Sequence, residues 1–123
     1  RNQSKLQKKQ PDVVMTRHDG KQVAIEIEVN PKSLNTGALE KALMSVASSV
    51  GDKPGQYETL IYVFGSNAFL KSYKTLWDSG KLEIWDHSGS RHVPTGKFWS
   101  IPPETQVRVI FIKSSLVLGG ISQ

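Results

Sequence analysis

Three carboxylates in the first quarter of the chain are spaced so that they could hold a metal ion. Glu26 and Glu28 stand two residues apart in residues 22–29, a stretch whose pattern indicates a strand, and Asp12 begins the preceding strand. Alternate residues of a strand lie on opposite faces, so the two glutamates share a face. Neighbouring carboxylates repel each other unless a positive charge or water lies between them. Three carboxylates that converge at a strand end can bind a hard divalent cation such as Mg²⁺.

The same alternation predicts which face of this strand enters the core. Residues 18–21, with Gly20 free to take a positive φ, supply a turn that pairs this strand with the one before it. The resulting hairpin brings Asp12 near the glutamates. We expect the glutamates to face water or a metal, and the opposite face to pack inward through Val23, Ile25, Ile27 and Val29.

Composition limits the classes of protein to which the chain could belong. Its 123 residues are enough for one domain with a proper core. It has no cysteine, which excludes disulfides and thiolate zinc sites, and no apolar run long enough for a membrane span or a signal peptide. The net charge of +5 favours a polyanionic partner, and we expect a cytoplasmic protein. Because residue 1 is arginine and not methionine, we expect a piece of a longer or processed protein.

Strands and helices alternate along the chain in an order that predicts an α/β fold, with a mixed β-sheet flanked by helices. One domain is expected over residues 11–115, between a basic arm at residues 1–10 and a C-terminal tail at residues 116–123. The predicted strands are residues 13–16, 22–29, 57–64, 82–85 and 107–112. The predicted helices run from residue 35 or 36 to about 50 and from 67 to 78, and a hairpin is expected around Gly96.

The arrangement of Pro11-Asp12, then Glu26-x-Glu28 on the next strand, then a helix and a buried strand, resembles the PD-(D/E)xK nuclease superfamily. That resemblance implies a restriction-endonuclease-like core and a Mg²⁺-dependent site. Asp12 and Glu26 match the two acids of the family motif. Glu28 stands where the family usually has lysine, although some restriction endonucleases carry Glu-x-Glu there.

A longer match lies in residues 26–33, which read Glu-Ile-Glu-Val-Asn-Pro-Lys-Ser. This segment is similar to plasmid replication-relaxation type proteins of bacterial mobile elements, which often read Glu-Val-Glu-Leu-Thr-Pro-Lys-Ser. A helix that contains a lysine follows in those proteins, as Lys41 does here. The resemblance covers about residues 10–85.

The resemblance implies a metal-dependent DNA endonuclease domain of a mobile-element or DNA-processing protein. The expected cofactor is Mg²⁺ or Mn²⁺, with ligands from Asp12, Glu26, the backbone carbonyl of Ile27 and Glu28. Glu28 could instead act as general base toward a water. Lys32 or Lys41 would stabilise charge that develops on the scissile phosphate.

Two other functions remain open. The glutamate at position 28 leaves room for a DNA-binding module of the same fold without catalysis. The compact size also permits a secreted nuclease toxin domain from a longer polypeptide. DNA is the expected partner, with no membrane association. A homodimer and other domains of a longer chain are compatible with all three.

Overall fold

A four-stranded sheet lies at the centre of the computed structural model, which describes residues 11–29 and 36–114. The strands of this sheet are in the order β1-β2-β3-β6, and a second, two-stranded sheet pairs β4 with β5. The elements are β1 (Val13–Thr16), β2 (Gln22–Glu28), α1 (Ala38–Ser49), β3 (Thr59–Phe64), α2 (Asn67–Asp78), β4 (Lys81–Asp86), β5 (Val93–Ser100), α3 (Pro103–Gln106) and β6 (Val109–Lys113). The predicted basic arm, the C-terminal tail from residue 116 and Lys32 lie outside the described residues.

The main sheet is mixed, as predicted. β1 and β2 are antiparallel and place Val13 opposite Ile25, while β2, β3 and β6 are parallel to one another. Gly20 closes the β1–β2 hairpin at a φ of 85°, and its amide donates to the carbonyl of Arg17. The α/β class with a mixed sheet and helices is therefore confirmed, and the restriction-endonuclease-like core stays a prediction.

Both long helices pack on one face of the main sheet and make the core there. α2 is anchored to α3 by two hydrogen bonds: the Trp77 indole donates to the carbonyl of Gln106, and the Gln106 amide donates to the carbonyl of Trp77. The buried side chains of this core come from α1 (Leu39, Leu43, Val46, Ala47), α2 (Tyr73, Trp77) and the sheet (Ala24, Leu60, Tyr62, Phe64, Val109).

The predicted orientation of β2 is wrong. Glu26 and Glu28 face the helices and are only 8% and 6% exposed, whereas Ile27 and Val29 on the opposite face are exposed; of the residues predicted to pack inward, Val23 alone is buried, at 8% exposure. The parallel connections β2-α1-β3 and β3-α2-β6 step across the sheet in the same direction. Connections of one handedness then place both helices on the same face. In this fold that face carries the glutamates, with Ala24 beside them under the helices.

The β4–β5 hairpin departs from the sequence prediction at its turn. The chain reverses over residues 87–92, and Gly96 lies inside β5 at a φ of 79° beside a register shift in β4. The Gly96 amide donates to the carboxylate of Glu83, which fixes this irregularity. α2 has the predicted bounds, and the short α3 was not predicted.

Candidate active site

Glu26 and Glu28 occupy the carboxyl-terminal half of β2, beneath the helices. β2 pairs with β3 so that Glu26 lies opposite Tyr62 and Glu28 lies opposite Phe64. The Tyr62 hydroxyl donates a hydrogen bond of 3.1 Å to the Glu28 carboxylate. A carboxylate removed from water needs such donors, because burial without hydrogen bonds costs several kcal/mol. Among the described residues, the Tyr62 hydroxyl therefore compensates part of the cost of burying Glu28.

Tyr62 is held rigidly by aromatic neighbours. Its ring centroid lies 4.8 Å from that of Phe64, 5.5 Å from that of Tyr73 and 5.8 Å from that of Phe111. Burial, together with the negative charge of Glu28, raises the pKa of Tyr62 far above its ordinary value. The hydroxyl stays protonated at every ordinary pH and is a permanent donor to Glu28.

Asp12 lies at the backbone between the two glutamates. Its carboxylate accepts a hydrogen bond of 2.7 Å from the amide of Ile27. β1 begins only at Val13, so the Asp12 side chain takes the place of a backbone acceptor at this point of the ladder. The amide and carbonyl of one residue in a strand face the same neighbour. The Ile27 carbonyl, a predicted metal ligand, therefore faces the edge of β2 on which Asp12 lies.

A cavity of about 350 Å³ opens beside this point, between α1 and the strands β2 and β3. Glu26 lines it from β2, Tyr62 lines it from β3, and Lys41 lines it from the first turns of α1. Pro11, the residue before Asp12, also lines it. The cavity therefore brings together an acid, an amine, a phenol and the start of the predicted Pro-Asp motif.

The described residues bring together several predicted site residues without completing a metal cluster. Asp12 contacts the backbone of Ile27, and Glu26 shares a cavity with Lys41. Within residues 11–29 and 36–114, no three Asp, Glu or His side chains are placed so that they could hold one metal ion. The oxygen-rich donor set of Asp12, Glu26 and the Ile27 carbonyl is of the kind that Mg²⁺ and Mn²⁺ prefer. The metal site stays a prediction.

Tyr62 is the site residue that sequence reasoning missed. It lies in the middle of the apolar run at residues 60–64, where a buried phenol needs a hydrogen-bond partner. The need for a partner indicates from the sequence alone that the Tyr62 hydroxyl contacts a polar group. Naming Glu28 as the partner needed the knowledge that β2 and β3 are adjacent and in this register.

Neither a search of protein-family models nor a search of curated proteins finds a match to the chain. The helices in the described part of the chain are too short or too polar to cross a membrane. A functional assignment therefore depends on the site itself and on the sequence motif.

Proposed function

We propose that the chain is a metal-dependent DNA endonuclease domain that hydrolyses phosphodiester bonds. The observation that supports this proposal most directly is the hydrogen bond from the Ile27 amide to Asp12. It puts the Pro-Asp element and the Glu-x-Glu element against each other, although they are about 15 residues apart in sequence. The resemblance to the PD-(D/E)xK superfamily motif requires this juxtaposition.

The proposed chemistry assigns each group a separate task. A divalent cation bound by Asp12, Glu26 and the Ile27 carbonyl would supply an activated water and neutralise charge on the phosphate. Lys41 lies across the cavity from β2, where an ammonium group can stabilise the negative charge that grows on the phosphate oxygens. Glu28 remains a proposed fourth ligand or the general base, and its carboxylate accepts a hydrogen bond from Tyr62.

One observation favours a second candidate, a DNA-binding module without catalysis. The residue at position 28, where the family usually has its lysine, is a buried glutamate that accepts a hydrogen bond from Tyr62. It cannot donate to a phosphate. Under this alternative, Glu26 and Glu28 are structural, and the basic residues of the chain bind the DNA backbone.

Cleavage assays with the purified chain test the proposal. Supercoiled plasmid, single-stranded, duplex and branched DNA are incubated with Mg²⁺ or Mn²⁺ and, in parallel, with chelator. We expect nicking that requires metal and that Asp12→Asn and Glu26→Gln each abolish. Asp78→Asn is the matched control, because it removes an exposed α2 carboxylate whose partner is Lys74 and should leave cleavage unchanged.

Two further readouts interpret a negative result. Circular dichroism melts of each variant separate loss of chemistry from loss of fold. DNA binding is measured by fluorescence anisotropy on the same substrates. Wild-type protein that binds DNA but cuts none of the four substrates with either metal would overturn the endonuclease proposal in favour of the binding module.

A further inference from the structure

The face of the main sheet opposite the helices is apolar and open. Its side chains come from all four strands, and the most open of them are between 39% and 49% exposed. Pairing in register places them on one face. They are Val13 and Met15 of β1, Ile25 and Ile27 of β2 with Val29 just beyond it, Ile61 of β3, and Ile110 and Ile112 of β6. We call this set the open sheet face.

The open sheet face is as large as the largest apolar patches that monomers leave in water. Its exposed fractions correspond to roughly 400–500 Å² of apolar surface, within the range of the largest and often functional patches on monomers. Three of its four strands are parallel, and parallel sheets are almost always covered on both faces. On the same side of the sheet Val23 and Val63 are each only 8% exposed, so the open area is formed by the side chains of the open sheet face and not by every residue on that side. This surface is therefore a candidate binding surface for a partner.

The composition of the face and of the rest of the chain selects the kind of partner. None of the side chains in the open sheet face carries a charge, so its complement is another apolar surface. Outside the described residues the largest apolar group is in residues 115–123, where Leu116, Val117, Leu118 and Ile121 are half as many as the eight side chains of the open sheet face. A second copy of the chain supplies an apolar face of identical size.

The dimensions also match a dimer. A standard interface buries about 800 Å² per partner, and homodimer interfaces are about 65% apolar, so each partner contributes about 500 Å² of apolar surface. Two sheets of this kind pack face to face about 10 Å apart with their strands nearly aligned. When the same surface patch of two subunits forms the interface, the result is a closed dimer with two-fold symmetry.

We propose that the chain forms a two-fold homodimer through the open sheet faces of two copies, which form a β-sandwich. The interface lies on the opposite face of the sheet from Glu26 and Glu28. In the dimer, the candidate site of each copy therefore lies on the helix side of its sheet, away from the interface. The proposal does not depend on the proposed nuclease activity.

Sedimentation equilibrium across a wide range of protein concentration tests the proposal. We expect a dimer for the wild-type chain, and monomers for Ile110→Glu and Met15→Glu, which place a charge at opposite edges of the open sheet face. Val107→Glu is the control, because Val107 is apolar and 79% exposed but precedes β6 and lies outside this face. It should remain a dimer. Circular dichroism melts confirm that each variant is folded.

Because the chain has no cysteine, single cysteines provide a second measurement. Met15→Cys or Ile112→Cys should be joined into covalent dimers by a short bis-maleimide, and Val107→Cys should not. A wild-type chain that is monomeric at every concentration would overturn the proposal, since another segment or another protein would then have to cover the face. A dimer unaffected by both glutamate variants would overturn it equally.

Discussion

Replacing Tyr62 with phenylalanine should destabilise the fold, because it removes the hydroxyl that donates a hydrogen bond to the Glu28 carboxylate. The ring and its aromatic contacts remain, so the change is confined to one hydroxyl. Hydrogen bonds to charged groups contribute about 1.5–3 kcal/mol, and the carboxylate left behind is 6% exposed and poorly placed to recover the loss from water. For a chain of this length, that loss corresponds to a fall in Tm of about 5–15 °C.

The dependence on pH reports the loss of a buried, protonated phenol, because the pKa of Tyr62 is raised first by burial and then by the negative charge of Glu28. The folded-state pKa of Tyr62 is raised above its ordinary value of 10, so the folded state favours the protonated phenol. The stability linked to that proton is fully present below pH 10 and is lost as pH rises above it, by about 1.4 kcal/mol per pH unit. Phenylalanine has no such proton. The difference in unfolding free energy between wild type and Tyr62→Phe should therefore shrink above pH 10.

Urea unfolding at neutral pH and at several alkaline values measures both effects. Tyr57→Phe is the control, because Tyr57 lines the same cavity as Tyr62 and shows no hydroxyl hydrogen bond in the described contacts. It should change stability little. A double-mutant cycle with Glu28→Gln isolates the coupling between the two side chains. The reasoning is refuted if Tyr62→Phe is as stable as wild type at neutral pH, or if its deficit is the same at every pH.

Three further predictions concern metal binding, DNA binding and the role of Glu28. Millimolar Mg²⁺ or Mn²⁺ should raise the Tm above its value in chelator, since a ligand that binds only the folded state stabilises it. Glu26→Gln should remove this increase in Tm. Wild-type melts that are the same with metal and with chelator would count against the metal site. DNA affinity should fall steeply between low and high salt. Removal of residues 1–10, which contain four cationic side chains, should reduce the slope of log affinity against log salt by up to about 0.9 for each of them. Anisotropy titrations at several salt concentrations that show no dependence on salt would contradict contacts to the DNA backbone. Glu28→Lys should lose cleavage if Glu28 is a ligand or base as proposed, whereas cleavage kept or gained would place the usual lysine function at position 28.

Local signals were sufficient to predict α2. Its apolar side chains recur at helical spacing, Ser66 caps its first turn by accepting from the Ala68 amide, and Gly80 follows its end at a φ of 82°. Each of these signals lies within a few residues of the element that it defines. The predicted bounds are confirmed for this reason.

Features that depend on pairing between distant strands could not be predicted from local sequence signals. The alternation in β2 fixed which residues share a face but not which face the helices cover, because that depends on the order of strands in the sheet. Gly96 indicated a turn, but its backbone lies in β5 because β4 pairs alongside it. Non-local pairing thus overrode a local turn signal.

The wrong prediction for β2 changes how its glutamates should be understood. On a solvated face, two adjacent carboxylates would be ordinary and inexpensive. Beneath the helices, removing each from water costs several kcal/mol before hydrogen bonds compensate. Buried carboxylates are uncommon unless a hydrogen bond, an opposite charge or a metal ion compensates for the lost water. The burial of Glu26 and Glu28, together with the Asp12 carboxylate on the intervening backbone, is therefore a stronger reason to seek chemistry here than the motif alone.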